Sequence, residues 1–223
     1  MTDAIWKMEF TTTSSHAYLI MRLRAPARHF SMIRSFHLAD LFTIANGFCG
    51  VAAIFEAMKY LGAGDKRHAY AAALLIPLAL VFDVMDGRIA RWRHMSSALG
   101  RELDSLADMI SFGVAPAAIA FAVGLNTGLD QIILIYFAIC GLSRLARYNI
   151  TADSLSTTTG KVEYFEGTPI PTSVVPLGLL MLLFHRGNLY PARLFGLDFH
   201  WPVALFFISG CLMVSRTIRI PKP

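Results

Sequence analysis

Six apolar runs separated by short polar stretches fill the chain from Leu38 to about residue 216, near residues 38–61, 69–92, 100–124, 130–150, 169–186 and 200–216. Most approach the roughly 20 residues that a helix needs to cross the hydrocarbon core of a bilayer. The pattern predicts an all-α membrane protein whose six transmembrane helices occupy residues 38–223, the fifth and sixth short enough to need tilt or local thinning. Six crossings return both termini to one side. Pro77, Pro116 and Pro176 fall inside predicted helices, where proline kinks a helix and opens space beside it. Asp40 is placed to cap the first helix.

Residues 1–37 are expected to form a separate N-terminal arm and juxtamembrane segment. The first 30 residues alternate polar and apolar without a continuous hydrophobic stretch, so no cleavable signal peptide is expected. From Arg22 to Leu38 the chain is basic and carries Phe30, Met32, Ile33 and Phe36. Two readings stand: an amphipathic helix lying on anionic head groups, or an unstructured basic arm that only fixes orientation.

Composition agrees with the apolar pattern, with 55% hydrophobic and 16% charged residues. Of the 20 Lys and Arg residues, 15 fall on the side shared by the termini, the 83–108 segment and the 144–161 segment, and 5 on the other. The positive-inside rule therefore places the termini and both segments in the cytoplasm. The net charge of +5 does not point to nucleic acid, because the basic residues flank predicted membrane ends instead of forming one patch. Cys49, Cys140 and Cys211 are scattered through apolar runs and make no disulfide or metal-binding pattern.

Candidate chemistry changes the picture at the junction of the second and third runs. Asp83 and Asp86 end one, Asp104 and Asp108 open the next, and Gly87, Ala90, Arg91 and Gly100 lie between. A carboxylate inside a bilayer is costly, so intramembrane acids mark a functional site with partners. At about 100° per residue, Asp83 and Asp86 lie about 60° apart on one helix, while Gly100, Asp104 and Asp108 share one stripe of the next. The short connection holds the helices antiparallel, so the acidic stripes can face each other. Four carboxylates call for two divalent ions, and all-oxygen ligands suit Mg²⁺ or Mn²⁺. Ions, an arginine fork at Arg91 and two glycines that permit close approach together suit a diphosphate. A solvated cytosolic loop and an ion or proton pathway are the competing readings of these acids.

The segment reads D-x-x-D-G-x-x-A-R-x8-G-x-x-x-D-x-x-x-D from Asp83 to Asp108, and it resembles the signature of the CDP-alcohol phosphatidyltransferase family at every defined position. The resemblance implies metal ligation by Asp83, Asp86, Asp104 and Asp108, with Asp108 also acting as the catalytic base. It implies nucleotide contacts at Gly87, Arg91, Ser97 and Gly100. It also implies a nucleotide contact from the first helix, where Asn46 is the candidate; the alternative is that Asn46 joins helices. Family members tend to be homodimers.

Three further stretches resemble the integral-membrane phosphatidylserine synthases of this family, most closely the fungal ones. They are Asp104–Ala117, Gly141–Asn149 and Tyr164–Thr172. The resemblance implies CDP-diacylglycerol and L-serine as substrates and the endoplasmic reticulum membrane as location. Serine brings a carboxylate, for which Arg144 and Arg147 are candidates, with Tyr148 and Asn149 following Arg147. Glu166 is the candidate for the serine ammonium. Orientation anchoring remains the alternative for the arginines, and pairing with Lys161 or Arg147 for Glu166. Glycerol phosphate and inositol remain alternative acceptors. Ser154 to Gly160 reads as a flexible loop over the entrance.

Overall fold

In the computed structural model, residues 38–93, 98–156, 164–189, 191–194, 197–215 and 219–221 are described. The basic segment from Arg22, for which two readings stood, falls outside them apart from Leu38, and so does Ser97. Seven helices dominate: α1 (Leu38–Ala63), α2 (Lys66–Arg93), α3 (Ala98–Asp108), α4 (Ala115–Ala122), α5 (Gly128–Ser156), α6 (Val174–His185) and α7 (Val203–Val214). Among the described residues, strands form two antiparallel ribbons. One pairs β1 (Tyr164–Glu166) with β4 (Arg219–Pro221), and the other pairs β2 (Pro191–Leu194) with β3 (Leu197–His200).

Four helical stretches are long and apolar enough to cross a membrane: Asp40–Ala63, Lys66–Ile89, Leu99–Ala122 and Gly128–Ile150. The first, second and fourth match the corresponding predicted spans. The third joins α3 to α4 through a π-helical turn, Met109–Val114. Pro116 supplies a reason for that turn. It cannot donate to the carbonyl four residues back, and its ring crowds that carbonyl. A wider turn, in which the Ala115 N–H reaches the Ile110 carbonyl, absorbs the conflict. Pro77 by contrast sits within a continuous α2.

The last two predicted spans contain shorter helices. α7 has 12 residues, about 18 Å of rise against a core of about 30 Å. α6 also has 12 and is preceded by a 3₁₀ turn, Ile170–Ser173. At its other end the chain turns back at Gly187, whose φ is +69°. The expected loop from Ser154 begins later than anticipated, since α5 continues through Ser156.

Local signals explain how the helices reverse. α1 stops at Gly64, with φ of +70°, whose N–H bonds to the Tyr60 carbonyl at 2.8 Å. Asp65 then caps α2, its Oδ1 accepting from the Arg67 N–H at 2.9 Å. At α5 the Thr127 hydroxyl and the Asp130 carboxylate exchange bonds with each other's backbone N–H, a capping box.

In lipid, helices associate by packing instead of by escape from water, and small residues allow close approach. α1 and α2 meet through Ala53, Ala57, Ala69, Ala72 and Ala79, all buried. The third stretch is the central one, with 56% of its most apolar window buried against 22–33% for the others. α1 presses on it at Gly50, where an added Cβ would lie 2.8 Å from the Ser111 Cα and 2.5 Å from its Oγ. Gly210 does the same for α7 on α5, where Phe206 packs edge-on against Phe137.

Gly50→Ala should therefore lower stability by about 1–3 kcal/mol, the usual cost of overpacking. Gly178→Ala, whose Cβ meets nothing within 4 Å, should leave it unchanged or slightly raised. Thermal unfolding of the detergent-purified variants checks both.

Candidate metal and substrate site

The acids sit at the bundle end formed by the start of α1, the end of α2, α3 and the end of α5. Asp83 from α2 and Asp104 and Asp108 from α3 place one carboxylate oxygen each within 4.8 Å of one another. The facing of the two stripes read from the sequence is thus present, with three of the four aspartates in the cluster. Asp86 lies beside it, buried, and accepts a hydrogen bond from the Thr43 hydroxyl at 2.8 Å and another from the Gly87 backbone. A carboxylate has about four lone-pair sites, so these bonds orient Asp86 without exhausting it.

α1 supplies the polar lining. Asp40, Thr43 and Asn46 are buried and recur every three residues, which keeps them on one face. The Asn46 amide nitrogen donates to Asp108 Oδ1 at 3.0 Å, and the Ser111 hydroxyl donates to the Asn46 carbonyl at 2.9 Å. Gly47 lies beside this contact, where a Cβ would meet the Ala107 Cβ at an ordinary packing distance of 3.5 Å. Asp40, expected as a helix cap, occupies the first turn of α1 and belongs to this acidic end, close enough to Asp86 for their charges to interact.

Two buried acceptors, Asp104 Oδ1 and Asn46 Oδ1, have no hydrogen-bond partner. Burying a polar atom unpaired costs roughly 1–3 kcal/mol. Orphaned oxygens beside clustered carboxylates are what a site for hard cations would present. The residues present thus fit divalent ions.

Among the expected nucleotide contacts, Gly87 lies on α2 next to Asp86, and nothing stands within 4 Å of where its Cβ would be. Arg91 is in the last turns of α2 and Gly100 in the first turn of α3.

The expected acceptor residues separate into two groups. Arg144 on α5 is part-buried, interacts electrostatically with Asp108 and Tyr148, and has a buried Nε without a partner. Arg147 donates from Nη1 to the Val214 carbonyl at 3.4 Å, at the end of α7, where a cation suits the helix dipole. Tyr148 is exposed. Asn149 accepts from the Ser105 hydroxyl at 3.2 Å and donates to Glu102 Oε2 at 3.3 Å, which ties α5 to α3. Glu166 lies in β1 opposite Arg219. The following Gly167, with φ of +76°, packs where a Cβ would strike the Met213 carbonyl, and the Thr168 N–H bonds to the Leu212 carbonyl at 3.2 Å.

Thr43 and Ser111 were given no role from the sequence. The i, i+3 spacing of Thr43 and Asn46 was the available signal for the first. Ser111 needed the π-helical turn, which shifts the face it presents.

Comparison with known proteins bears on this geometry. A profile described as CDP-alcohol phosphatidyltransferase matches residues 36–214. The chain belongs to that family. It is 43% identical over 213 residues to a CDP-diacylglycerol–serine O-phosphatidyltransferase of Saccharomyces cerevisiae, covering 92% of this chain and 77% of that protein. It is 39% identical over 190 residues to the enzyme of the same name from Helicobacter pylori, covering 82% and 71%. With that of Bacillus subtilis it shares 33% over 151 residues, covering 67% and 77%. The matched region of this CDP-alcohol phosphatidyltransferase contains every acid of the cluster.

Asp104→Asn, which keeps size and removes charge, should weaken Mn²⁺ binding by more than about 10-fold, the lower end of the range for losing an outer-shell partner. Thr43→Val, which spares all three clustered carboxylates, should weaken it less. Titration of the purified protein with Mn²⁺, following free ion by electron paramagnetic resonance, checks the order.

Proposed function

We propose that this protein transfers the phosphatidyl group of CDP-diacylglycerol to the hydroxyl of L-serine, giving phosphatidylserine and CMP. The observation that carries the reading is Arg144 beside the Asp83, Asp104 and Asp108 cluster, in a chain similar throughout to serine-specific relatives. A diphosphate and an amino acid both find their complements there. Choline and ethanolamine have no carboxylate for an arginine, and inositol has no charge.

In this reading Asp83, Asp86, Asp104 and Asp108 hold Mg²⁺ or Mn²⁺, two ions balancing four carboxylates. When bound, the ions offset the negative charge of the diphosphate and of the departing CMP. Gly87 and Gly100 let the nucleotide approach the helix backbone, while Arg91 and Ser97 contact it. The serine hydroxyl attacks the phosphorus of the phosphatidyl group, the bond from that phosphorus to the oxygen of CMP breaks, and the hydroxyl proton passes to Asp108. A positioned carboxylate contributes roughly 10²- to 10⁴-fold in such a transfer.

Arg144 takes the serine carboxylate. Its orphaned Nε and its nearness to Asp108 support it over Arg147, whose bond to Val214 suits a cap on α7. Tyr148, Asn149 and Glu166 line the approach in this reading, Asn149 by fixing α5 on α3.

The proposal extends to six crossings by an endoplasmic reticulum protein whose site and termini face the cytoplasm, assembled as a homodimer. Contacts at both bundle ends support α6 and α7 as crossings. α7 meets Arg147 at the site end, and at the other end His200, just before α7, bonds to Asp130, while His185 of α6 bonds to Tyr70 at 2.9 Å.

Purified protein given CDP-diacylglycerol and Mn²⁺ should release CMP only when L-serine is present, with phosphatidylserine as the lipid product. CMP release with inositol or glycerol phosphate instead would overturn the acceptor, and none with any alcohol would overturn the reaction. Asp108→Ala should abolish turnover in a folded protein. Arg144→Ala should raise the KM for serine at least about tenfold, with a smaller change for CDP-diacylglycerol, whereas Arg147→Ala should act mainly on thermal stability.

A further inference from the structure

Asn46 stands on α1, away from the three clustered acids, and reaches Asp108 across the interface between helices. Its amide nitrogen donates to Asp108 Oδ1 at 3.0 Å, and the residue is fully buried. Its main chain is held as well, because the Ser111 hydroxyl donates to the Asn46 carbonyl at 2.9 Å. Ser111 belongs to the π-helical turn that begins immediately after Asp108. Asn46 therefore touches the third helical stretch twice, once at each of two residues three positions apart. The close approach at Gly50 allows little sliding between the two helices.

Asp108 is the last residue of α3, immediately before the π-helical turn. Asp83 and Asp104 crowd it, each with a carboxylate oxygen within 4.8 Å of its own. A neutral amide N–H gives the carboxylate one preferred direction without removing its charge. The orientation of the amide follows from the same chemistry, since its oxygen facing Asp108 would repel it. One N–H of the amide is thereby committed to Asp108, and the buried Asn46 Oδ1 has no hydrogen-bond partner.

We propose that Asn46 is a positioning residue that acts through Asp108, holding the carboxylate in the direction from which it receives the proton of the acceptor hydroxyl. This rests on the assignment of Asp108 as base. It differs from the expectation that Asn46 serves by contacting nucleotide, and the two predict different kinetics. A positioning residue lowers kcat and leaves substrate affinity nearly unchanged, whereas a nucleotide contact raises the KM for CDP-diacylglycerol and weakens CMP binding.

The test uses the full-length protein in detergent. Asn46→Leu keeps the volume and loses the donor, and Asn46→Ala loses both. Turnover is measured with both substrates varied, and CMP binding is measured by calorimetry at saturating Mn²⁺. Both variants should lose about 10- to 100-fold in kcat, the range for outer-shell partners, with both KM values and CMP affinity within about threefold of the parent. Normal kcat in Asn46→Leu with a loss in Asn46→Ala would make the residue a packing element and overturn the proposal. A loss carried by the KM for CDP-diacylglycerol and by CMP binding would overturn it in favour of nucleotide contact. Should the leucine variant not fold, the alanine variant still sets kcat against CMP binding. Asp108→Asn is assayed in parallel: normal turnover there removes the base assignment itself, while an inactive Asp108→Asn beside an active Asn46→Leu removes only the positioning role.

Discussion

Confining carboxylates at the end of a membrane bundle is the constraint on which the rest of this fold depends. Asp83, Asp104 and Asp108 bring oxygens within 4.8 Å of one another. At an effective dielectric constant of 20, two unit charges at that separation repel by about 3.5 kcal/mol. Three such pairs make a cost comparable to the whole stability of an ordinary domain. Donors and cations have to be brought to the same place. α1 supplies donors through Thr43 and Asn46, α5 supplies the Arg144 guanidinium, and the orphaned Asp104 and Asn46 oxygens leave room for hard ions.

That demand explains the uneven chemistry of the helices. α1 must approach the central stretch closely, and Gly50, one turn on from Asn46, permits it. Further along that face Ala53 and Ala57 are buried in the core. At the opposite end the polar contacts are self-contained. Glu56 pairs with Lys59 and His68, and buried Asp130 receives both the backbone N–H and the ring of His200. Those groups satisfy one another and fix how α1, α2, α5 and α7 are spaced. The acidic end, with its unpartnered atoms, is where the structure has binding capacity left over.

Much of this was legible in the sequence, for identifiable reasons. Four helices long enough to cross a membrane leave long apolar runs, and the spacing of Asp83, Asp104 and Asp108 fixes helix faces with no need of tertiary information. Other features depend on the third dimension. The π-helical turn arises from Pro116 acting on residues before it, and no periodicity shows it. Asp130 and His200 are 70 positions apart, so neither announces the other. The ribbon joining Tyr164–Glu166 to Arg219–Pro221 unites two segments more than 50 residues apart, which no local pattern pairs. Apolar runs 169–186 and 200–216 predicted spans but not that α6 and α7 would be only 12 residues each, because part of the first run folds as the 3₁₀ turn Ile170–Ser173 and the second begins in the ribbon that ends at His200.

The two arginines of α5 show how far spacing carries an argument and where it stops. Arg144 and Arg147 are three residues apart, and from sequence they look like one fork aimed at one anion. On a helix, three residues turn the direction by about 60° from the starting face, and at the rim of a bundle that angle separates neighbours. Arg144 interacts electrostatically with Asp108 of α3, whereas Arg147 bonds to the carbonyl at the end of α7. A cation beside Asp108 has its charge already partly engaged by that acid. In the proposed reaction a substrate carboxylate would compete with Asp108 for the guanidinium, whose buried Nε has no hydrogen-bond partner. A serine held there would stay near Asp108, the proposed base, so acceptor recognition and proton transfer would meet where α5 faces α3.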